Sequence, residues 1–119
     1  MGRDAALIST WRDPVAGREA KSLEVFMDFL AFWGKHAADG KCTEPEAFFN
    51  YDGSEGIAIV KGKSDILMQI WESEECEKLL AKGHLIVQDL KVHLYATGDE
   101  EVQRGTRLFA EAGNELGYM

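Results

Sequence analysis

The sequence predicts one α+β domain, residues 1–119, built on a four-stranded antiparallel sheet with an added C-terminal helix. Its 119 residues are the length of a single domain, and 45% of them are hydrophobic, enough for a core of its own. Strand-like and helical patterns follow one another in the order β-α-β-β-α-β. One long helical stretch, Arg18 to Asp39, is apolar on two opposed sides.

Four segments have the composition of strands and are bounded by turn residues. They are Ala5–Trp11, Lys41–Tyr51, Ile57–Lys61 and Leu85–Ala96. The turn cluster 52–56 lies between the second and third, which predicts a hairpin. Pro45 cannot donate a ladder hydrogen bond, so we expect an irregularity or a free edge near the start of the second strand.

Helical patterns fill the intervals between the strands. The long helix is expected to end at Asp39-Gly40, where Gly40 suits the left-handed conformation that follows a helix. The second helix is split: one piece begins at Asp65, and the next follows a cap at Ser73 and ends at Gly83. A last helix, roughly Glu100 to Leu116, places Val102, Phe109, Ala112 and Leu116 on one stripe.

Each of the two apolar sides of the long helix must pack against another structural element. One side carries Leu23, Phe26, Met27, Leu30 and Ala37, and the other carries Val25, Phe29, Phe32 and His36. An ordinary surface helix has one apolar stripe. We therefore expect one side on the sheet and the other under a second helix or a second chain. We predict that the last helix packs on Val25, Phe29 and Phe32, within the same chain or on a partner.

The fourth strand indicates how the sheet is covered. Leu90, Val92, Leu94 and Ala96 suit a face under helices, whereas Lys91, His93 and Tyr95 suit a partly polar face. The element order is the ferredoxin-like split βαβ plan, in which right-handed crossovers place both main helices on one face. Many aromatic side chains project from the sheet, so we expect a homodimer to enclose the other face.

Three segments carry a resemblance to known proteins: residues 17–26, residues 56–63, and residues 85–89 with 95–98. They resemble small, functionally uncharacterised bacterial proteins of the dimeric α/β-barrel superfamily, whose ferredoxin-like sheets face each other in a homodimer. The resemblance implies that fold and a homodimer. The superfamily contains cofactor-free monooxygenases, isomerases, haem enzymes and proteins of no known activity, so it implies no single reaction.

Charge and segment composition disfavour several partners. The formal charge is −8, and the 13 lysines and arginines are scattered, which disfavours nucleic acid and anionic membranes. No apolar run approaches the roughly 20 residues of a membrane span, and the start lacks the pattern of a signal peptide, so we expect a cytoplasmic protein. Cys42 and Cys76 are expected to be reduced packing thiols.

We predict no metal site and no cofactor. Gly62-Lys63-Ser64 follows a strand, but a phosphate loop requires glycine at position 57, which is Ile57. The three histidines, His36, His84 and His93, form none of the spacings HxH, HxxxH or HExxH that hold zinc.

The candidate site residues are His93, Trp11, Tyr51 and Tyr95, which we expect to line one cavity. His93 is the candidate general base, because an imidazole titrates near neutrality; the more ordinary interpretation is a hydrogen-bonded structural histidine. Trp11, Tyr51 and Tyr95 are the candidate ligand-binding residues.

Three hypotheses of function follow. The first is a homodimer of unknown activity that binds a small apolar ligand. The second is a cofactor-independent monooxygenase or isomerase in which His93 is the base, while Tyr95 and Trp11 orient an aromatic or enolisable substrate. The third is a subunit or regulatory interaction module, which would leave an apolar patch exposed in the dimer.

Overall fold

The computed structural model describes residues 2–119, so Met1 of the predicted domain lies outside the described residues. The elements are β1 Asp4–Arg12, α1 Glu19–Ala38, β2 Glu46–Phe49, β3 Glu55–Lys63, α2 Ser64–Trp71, α3 Glu74–Ile86, β4 Lys91–Ala96 and α4 Asp99–Glu115. The four strands form one antiparallel sheet in the order β2-β3-β1-β4. The predicted ferredoxin-like α+β fold is confirmed.

Strand β1 lies in the middle of the sheet, and its register sorts the side chains into two faces. Leu7 pairs with Val60 of β3 and with Leu94 of β4, so all three project to the same face. That face carries the core, which α1, α2 and α3 cover. The buried members of the core are Ala5, Leu7, Phe32, Trp33, Val60, Leu67, Ile70 and Cys76.

Helix α1 is held on the sheet by the side that carries Phe32 and Trp33. Both side chains are buried, and their rings meet edge to face at 5.3 Å. The opposed side remains in solvent, because Leu23 is 64% exposed and Met27 is 56% exposed. The predicted division into two sides is only partly correct, because Phe26, predicted beside Leu23 and Met27, faces the sheet together with Phe29.

The second face of the sheet has no helix on it within residues 2–119. Ile8 pairs with Ile59 on one side and with His93 on the other, so these three project away from the core. Ile57 and Phe48, which also pair with each other, are exposed on the same face. We call this surface, formed by Ile8, Ile57, Ile59, Phe48, His93 and Tyr95, the open face.

The predicted bounds of the second and fourth strands are wrong. Strand β2 is confined to Glu46–Phe49. Residues before Pro45 are instead held beside β3 by two hydrogen bonds, in which Thr43 N–H donates to the Lys61 carbonyl and Thr43 Oγ1 accepts from Lys61 N–H. Strand β4 begins at Lys91 and not at Leu85, because α3 continues through Gly83 to Ile86. A short apolar run such as residues 85–87 is compatible with either a strand or a helix.

Helix α4 does not pack on α1 of its own chain, so that form of the prediction is wrong. Val102, Phe109 and Leu116 are 62%, 69% and 70% exposed, and no residue of the helix is buried. Gly98 precedes the helix with φ of 94°. Thr97 N–H donates to the Asp4 carbonyl at 3.1 Å, which fixes where the helix begins. Packing of α4 on a partner stays a prediction.

The projecting helix makes the chain elongated. The principal extents are 54 × 33 × 25 Å, and the radius of gyration is 17.0 Å. A compact domain of this length has a radius of gyration of about 13.5 Å. None of the helices in residues 2–119 combines the length and the apolar character needed to cross a membrane.

The buried thiol of Cys76 makes stability depend on pH in the alkaline range. Desolvation, with a contribution from Glu77 and Glu75, raises the pKa of Cys76 from 9.0 to about 11. The folded state therefore holds the neutral thiol, and the stability it contributes is complete below about pH 9 and lost as pH rises through about 11. We expect the free energy of unfolding to fall over this window more steeply for the wild type than for Cys76→Ala, as measured by urea denaturation. Parallel pH profiles for the two proteins would contradict the prediction.

Candidate functional site

A cavity of about 370 Å³ opens on the helix-covered side of the sheet, between β1, α1 and α3. Its wall is mostly apolar, and each element contributes. The sheet supplies Trp11 and Phe49, α1 supplies Leu23, Phe26 and Phe29, and α3 supplies Leu79, Leu80 and Ile86. A concave, apolar volume of this size is typical of a site for a small organic molecule.

Three aromatic rings from three elements meet at this cavity. Trp11 of β1 lies 5.8 Å from Phe26 of α1 and 6.3 Å from Phe49 of β2, measured between ring centroids. Phe26 and Phe49 lie 5.6 Å apart in an edge contact. These separations are those of favourable aromatic pairs. We call Trp11, Phe26 and Phe49 the aromatic cluster.

The position of Trp11 depends on a glycine on the neighbouring strand. Trp11 pairs with Gly56 of β3, and a Cβ atom at Gly56 would lie 2.3 Å from Cε2 of the indole. The indole therefore lies directly over the backbone of Gly56. A glycine inside a strand commonly marks such a close approach.

The cavity has few polar groups. Ser9 lies in the wall and is 4% exposed, the one buried polar side chain among residues 2–119. Trp11 adds an indole N–H donor. The charged lining residues Arg12, Glu19 and Glu55 are at exposed positions. No histidine lines the cavity. Across residues 2–119, no three His, Cys, Asp or Glu side chains gather as metal ligands would.

The four predicted site residues do not share one cavity in a single chain. Trp11 lines the cavity described above. His93 and Tyr95 project from the open face, where their rings lie 5.9 Å apart and both are exposed. Tyr51 lies in the turn after β2 and is fully exposed. The catalytic role of His93 and the ligand-binding roles of Trp11, Tyr51 and Tyr95 stay predictions.

The separation follows from the β1–β4 register. His93 pairs with Ile8, whose side chain alternates with those of Ser9 and Trp11 on β1. Trp11 and His93 therefore lie on opposite faces of the sheet. Sequence reasoning assigned Phe26 and Phe29 to packing and so missed them as cavity residues. The signal that could have found the site is Gly56, an isolated glycine at the start of a strand opposite a tryptophan.

Comparisons with known proteins identify the fold. No protein-family model and no curated protein matches the chain. Solved structures do match. Rv0793 from Mycobacterium tuberculosis has a TM-score of 0.63 at 18% identity, covering 81% of this chain and 96% of that one. SnoaB, a cofactor-independent oxygenase from Streptomyces nogalater, has a TM-score of 0.64 at 12% identity, covering 82% and 95%. PA3566 from Pseudomonas aeruginosa has a TM-score of 0.59 at 16% identity, covering 82% and 98%.

The matches cover nearly all of each neighbour but leave about a fifth of this chain without a counterpart. That share has the size of the segment from Asp99 to Met119, which contains α4. Identities of 18% and below show the fold alone. The chain shares its ferredoxin-like α+β fold with these solved structures and has a C-terminal helix in addition.

Proposed function

We propose that the chain forms a homodimer that binds a small apolar ligand in the cavity lined by Trp11, Phe26 and Phe49. The observation that carries the proposal is the aromatic cluster, in which three rings from three elements border about 370 Å³ of unfilled volume. The cavity is open to solvent and its wall is mostly apolar, an arrangement typical of a site for a small molecule. The cluster therefore suits a ligand better than it suits a core.

The chemistry of the wall defines the class of ligand. Aromatic side chains favour a flat, apolar molecule that can stack or meet ring edges. Ser9 and the indole N–H of Trp11 offer a place for one or two polar atoms of that molecule. We infer that the ligand is a fused-ring aromatic compound with a hydroxyl or carbonyl group.

The open face supports the homodimer. Ile8, Ile57, Ile59 and Phe48 form a continuous apolar strip across three strands, with no helix over it in residues 2–119. Surfaces of this kind on a sheet mark interaction sites. In a twofold dimer the same face of each copy meets the other, so one self-complementary surface is sufficient.

A second candidate function is that of a cofactor-independent monooxygenase or isomerase with His93 as general base. Two observations favour it: His93 and Tyr95 lie side by side on the open face, and the structural neighbour SnoaB is a cofactor-independent oxygenase. His93 would remove a proton from an enolisable or phenolic substrate that Tyr95 orients. The resulting anion would react with dioxygen as co-substrate, or would be reprotonated at another atom. Trp11 lies on the opposite face of the sheet, so it would not contact the substrate bound beside His93.

Ligand binding is tested by titrating the protein with a naphthalene-based fluorophore. We expect Trp11→Ala and Phe49→Ala each to weaken binding by about tenfold, since an aromatic pair contributes about 0.5–1.5 kcal/mol beyond the area it buries. Phe48→Ala is the matched control, because Phe48 is the neighbour of Phe49 on the opposite face. Because Phe48 also lies in the proposed interface, the variants are compared at a concentration where light scattering gives each of them the same mass as the wild type. Equal losses for Phe48→Ala and Phe49→Ala would then remove the cavity as the binding site.

The homodimer is tested by size-exclusion chromatography with light scattering at micromolar concentration. We expect twice the chain mass of 13.3 kDa. Ile57→Glu places an unpaired charge in the proposed interface and should raise the dissociation constant on the order of a hundredfold. Asn50→Glu, in the hairpin turn, is the control and should leave the mass unchanged. A monomeric wild type at these concentrations would rule out the dimer.

The enzymatic candidate is tested by oxygen consumption with a panel of polycyclic phenols. If it holds, His93→Gln lowers kcat by about a hundredfold or more, since a general base contributes at least that factor. Lys91→Gln, two residues earlier on the same face, should keep wild-type kcat. Turnover by His93→Gln at the wild-type rate would exclude His93 as the base.

A further inference from the structure

Strand β1 places a serine at the inner end of the cavity. Ser9 shares its face of β1 with Leu7 and Trp11, because side chains alternate along a strand, and this face carries the core. The wall of the cavity is 64% exposed at Leu23 and 61% exposed at Phe49, but only 4% exposed at Ser9. Leu23 and Phe49 therefore mark the mouth, and Ser9 marks the end that is farthest from solvent.

The hydroxyl of Ser9 has no hydrogen-bond partner in the part of the chain that the structure describes. It is not sealed from open space either, because the one sealed side-chain nitrogen or oxygen atom without a partner in residues 2–119 is His36 Nδ1. The open space that Ser9 borders is the cavity. Native proteins rarely leave a buried hydroxyl unpaired, so this one requires a partner from outside the chain.

The neighbours of Ser9 show that packing alone does not require a hydroxyl at this position. In the sheet, Ser9 pairs with Ala58 of β3 and with Val92 of β4. Ala58 is 1% exposed and fills the matching position on β3 with a methyl group. An alanine at position 9 would bury no polar atom, so the serine destabilises the fold unless something pairs with its hydroxyl.

Charged side chains of the wall lie at the mouth and not beside Ser9. The cationic residue of the wall, Arg12, is exposed and lies opposite Glu55 in the register of β1 and β3. Glu19 and Glu55, the acidic residues of the wall, are exposed as well. A carboxylate placed beside Ser9 would lose its water without gaining a cation, which is strongly unfavourable. A neutral hydroxyl or carbonyl group loses less on burial and can pair with the serine hydroxyl.

We propose that Ser9 is the specificity-determining residue of the cavity, because its hydroxyl forms a hydrogen bond with a neutral hydroxyl or carbonyl group of the ligand. The ligand then binds with that oxygen toward the sheet and its rings among the aromatic cluster. Ser9 selects against hydrocarbons, which leave its hydroxyl unpaired, and against ligands whose inner end is anionic. The inference rests on the proposed ligand site and adds to it the orientation and the charge state of the ligand.

A comparison of two proteins and two ligands tests the hydrogen bond. Dissociation constants of 2-naphthol and of 2-methylnaphthalene, which has a methyl group in place of the hydroxyl, are measured by titration calorimetry with the wild type and with Ser9→Ala. We expect Ser9→Ala to weaken binding of 2-naphthol by about tenfold and to leave 2-methylnaphthalene equal or tighter, because only the naphthol pairs with the hydroxyl. The wild type should bind 2-naphthoate about a hundredfold more weakly than 2-naphthol.

Thr10→Val is the matched control, because Thr10 follows Ser9 on β1 and its side chain lies on the opposite face of the sheet. It should leave both dissociation constants unchanged, with every variant at a concentration where light scattering gives the wild-type mass. Phe49→Ala should weaken both ligands alike, as expected if both occupy the cavity. Thermal unfolding without ligand adds a second readout: we expect the Tm of Ser9→Ala to equal or exceed that of the wild type, since no bond within the chain is lost.

The outcomes separate this inference from the proposed function. An unchanged ratio of the two dissociation constants in Ser9→Ala would overturn the role of Ser9 and leave the cavity as the ligand site. A lower Tm for Ser9→Ala, or equal affinities for 2-naphthol and 2-naphthoate, would overturn that role too. If the wild type binds neither neutral ligand, or if Phe49→Ala binds both as the wild type does, the proposed ligand site itself is wrong. A loss confined to 2-naphthol, with an equal or raised Tm, would support the inference.

Discussion

The helices of this chain cover only one face of its sheet, and the rest of the structure depends on that limit. A four-stranded sheet has two faces, and α1, α2 and α3 cover the one that carries Leu7 and Val60. The face that carries Ile8 and Ile59 has no cover in residues 2–119. Burial of apolar surface is the main favourable term in folding, and net stability is small. The uncovered face is therefore where we place the association with a second copy.

The same helix that closes the core also leaves room for a ligand. In its second half, α1 inserts Trp33 and Phe32 into the core, where both are buried. In its first half, Phe26 meets Trp11 and Phe49 around a cavity and does not fill it. Core and candidate site are thus two ends of one helix–sheet interface.

Local patterns in the sequence were enough to predict the fold. They also predicted which side chains of β4 lie under the helices. The alternation along β4 correctly placed Val92 and Leu94 under the helices, because side-chain alternation is a local property of a strand. The apolar run 85–87 was assigned to a strand but is mostly helical, because such short runs lack a period. The relative phase of Trp11 and His93 depends on the pairing register of two distant strands, which no local pattern specifies.

Hydrogen–deuterium exchange of α4 tests most directly the claim that the chain is completed by a second copy. Most of the stability of a helix in a protein comes from the packing of its apolar face, so without a partner the amides of this 17-residue helix would exchange rapidly. The account predicts strong protection of residues 102–116 at micromolar concentration and loss of that protection on dilution, while β1 stays protected. Rapid exchange of α4 at every concentration, with a protected sheet, would contradict it.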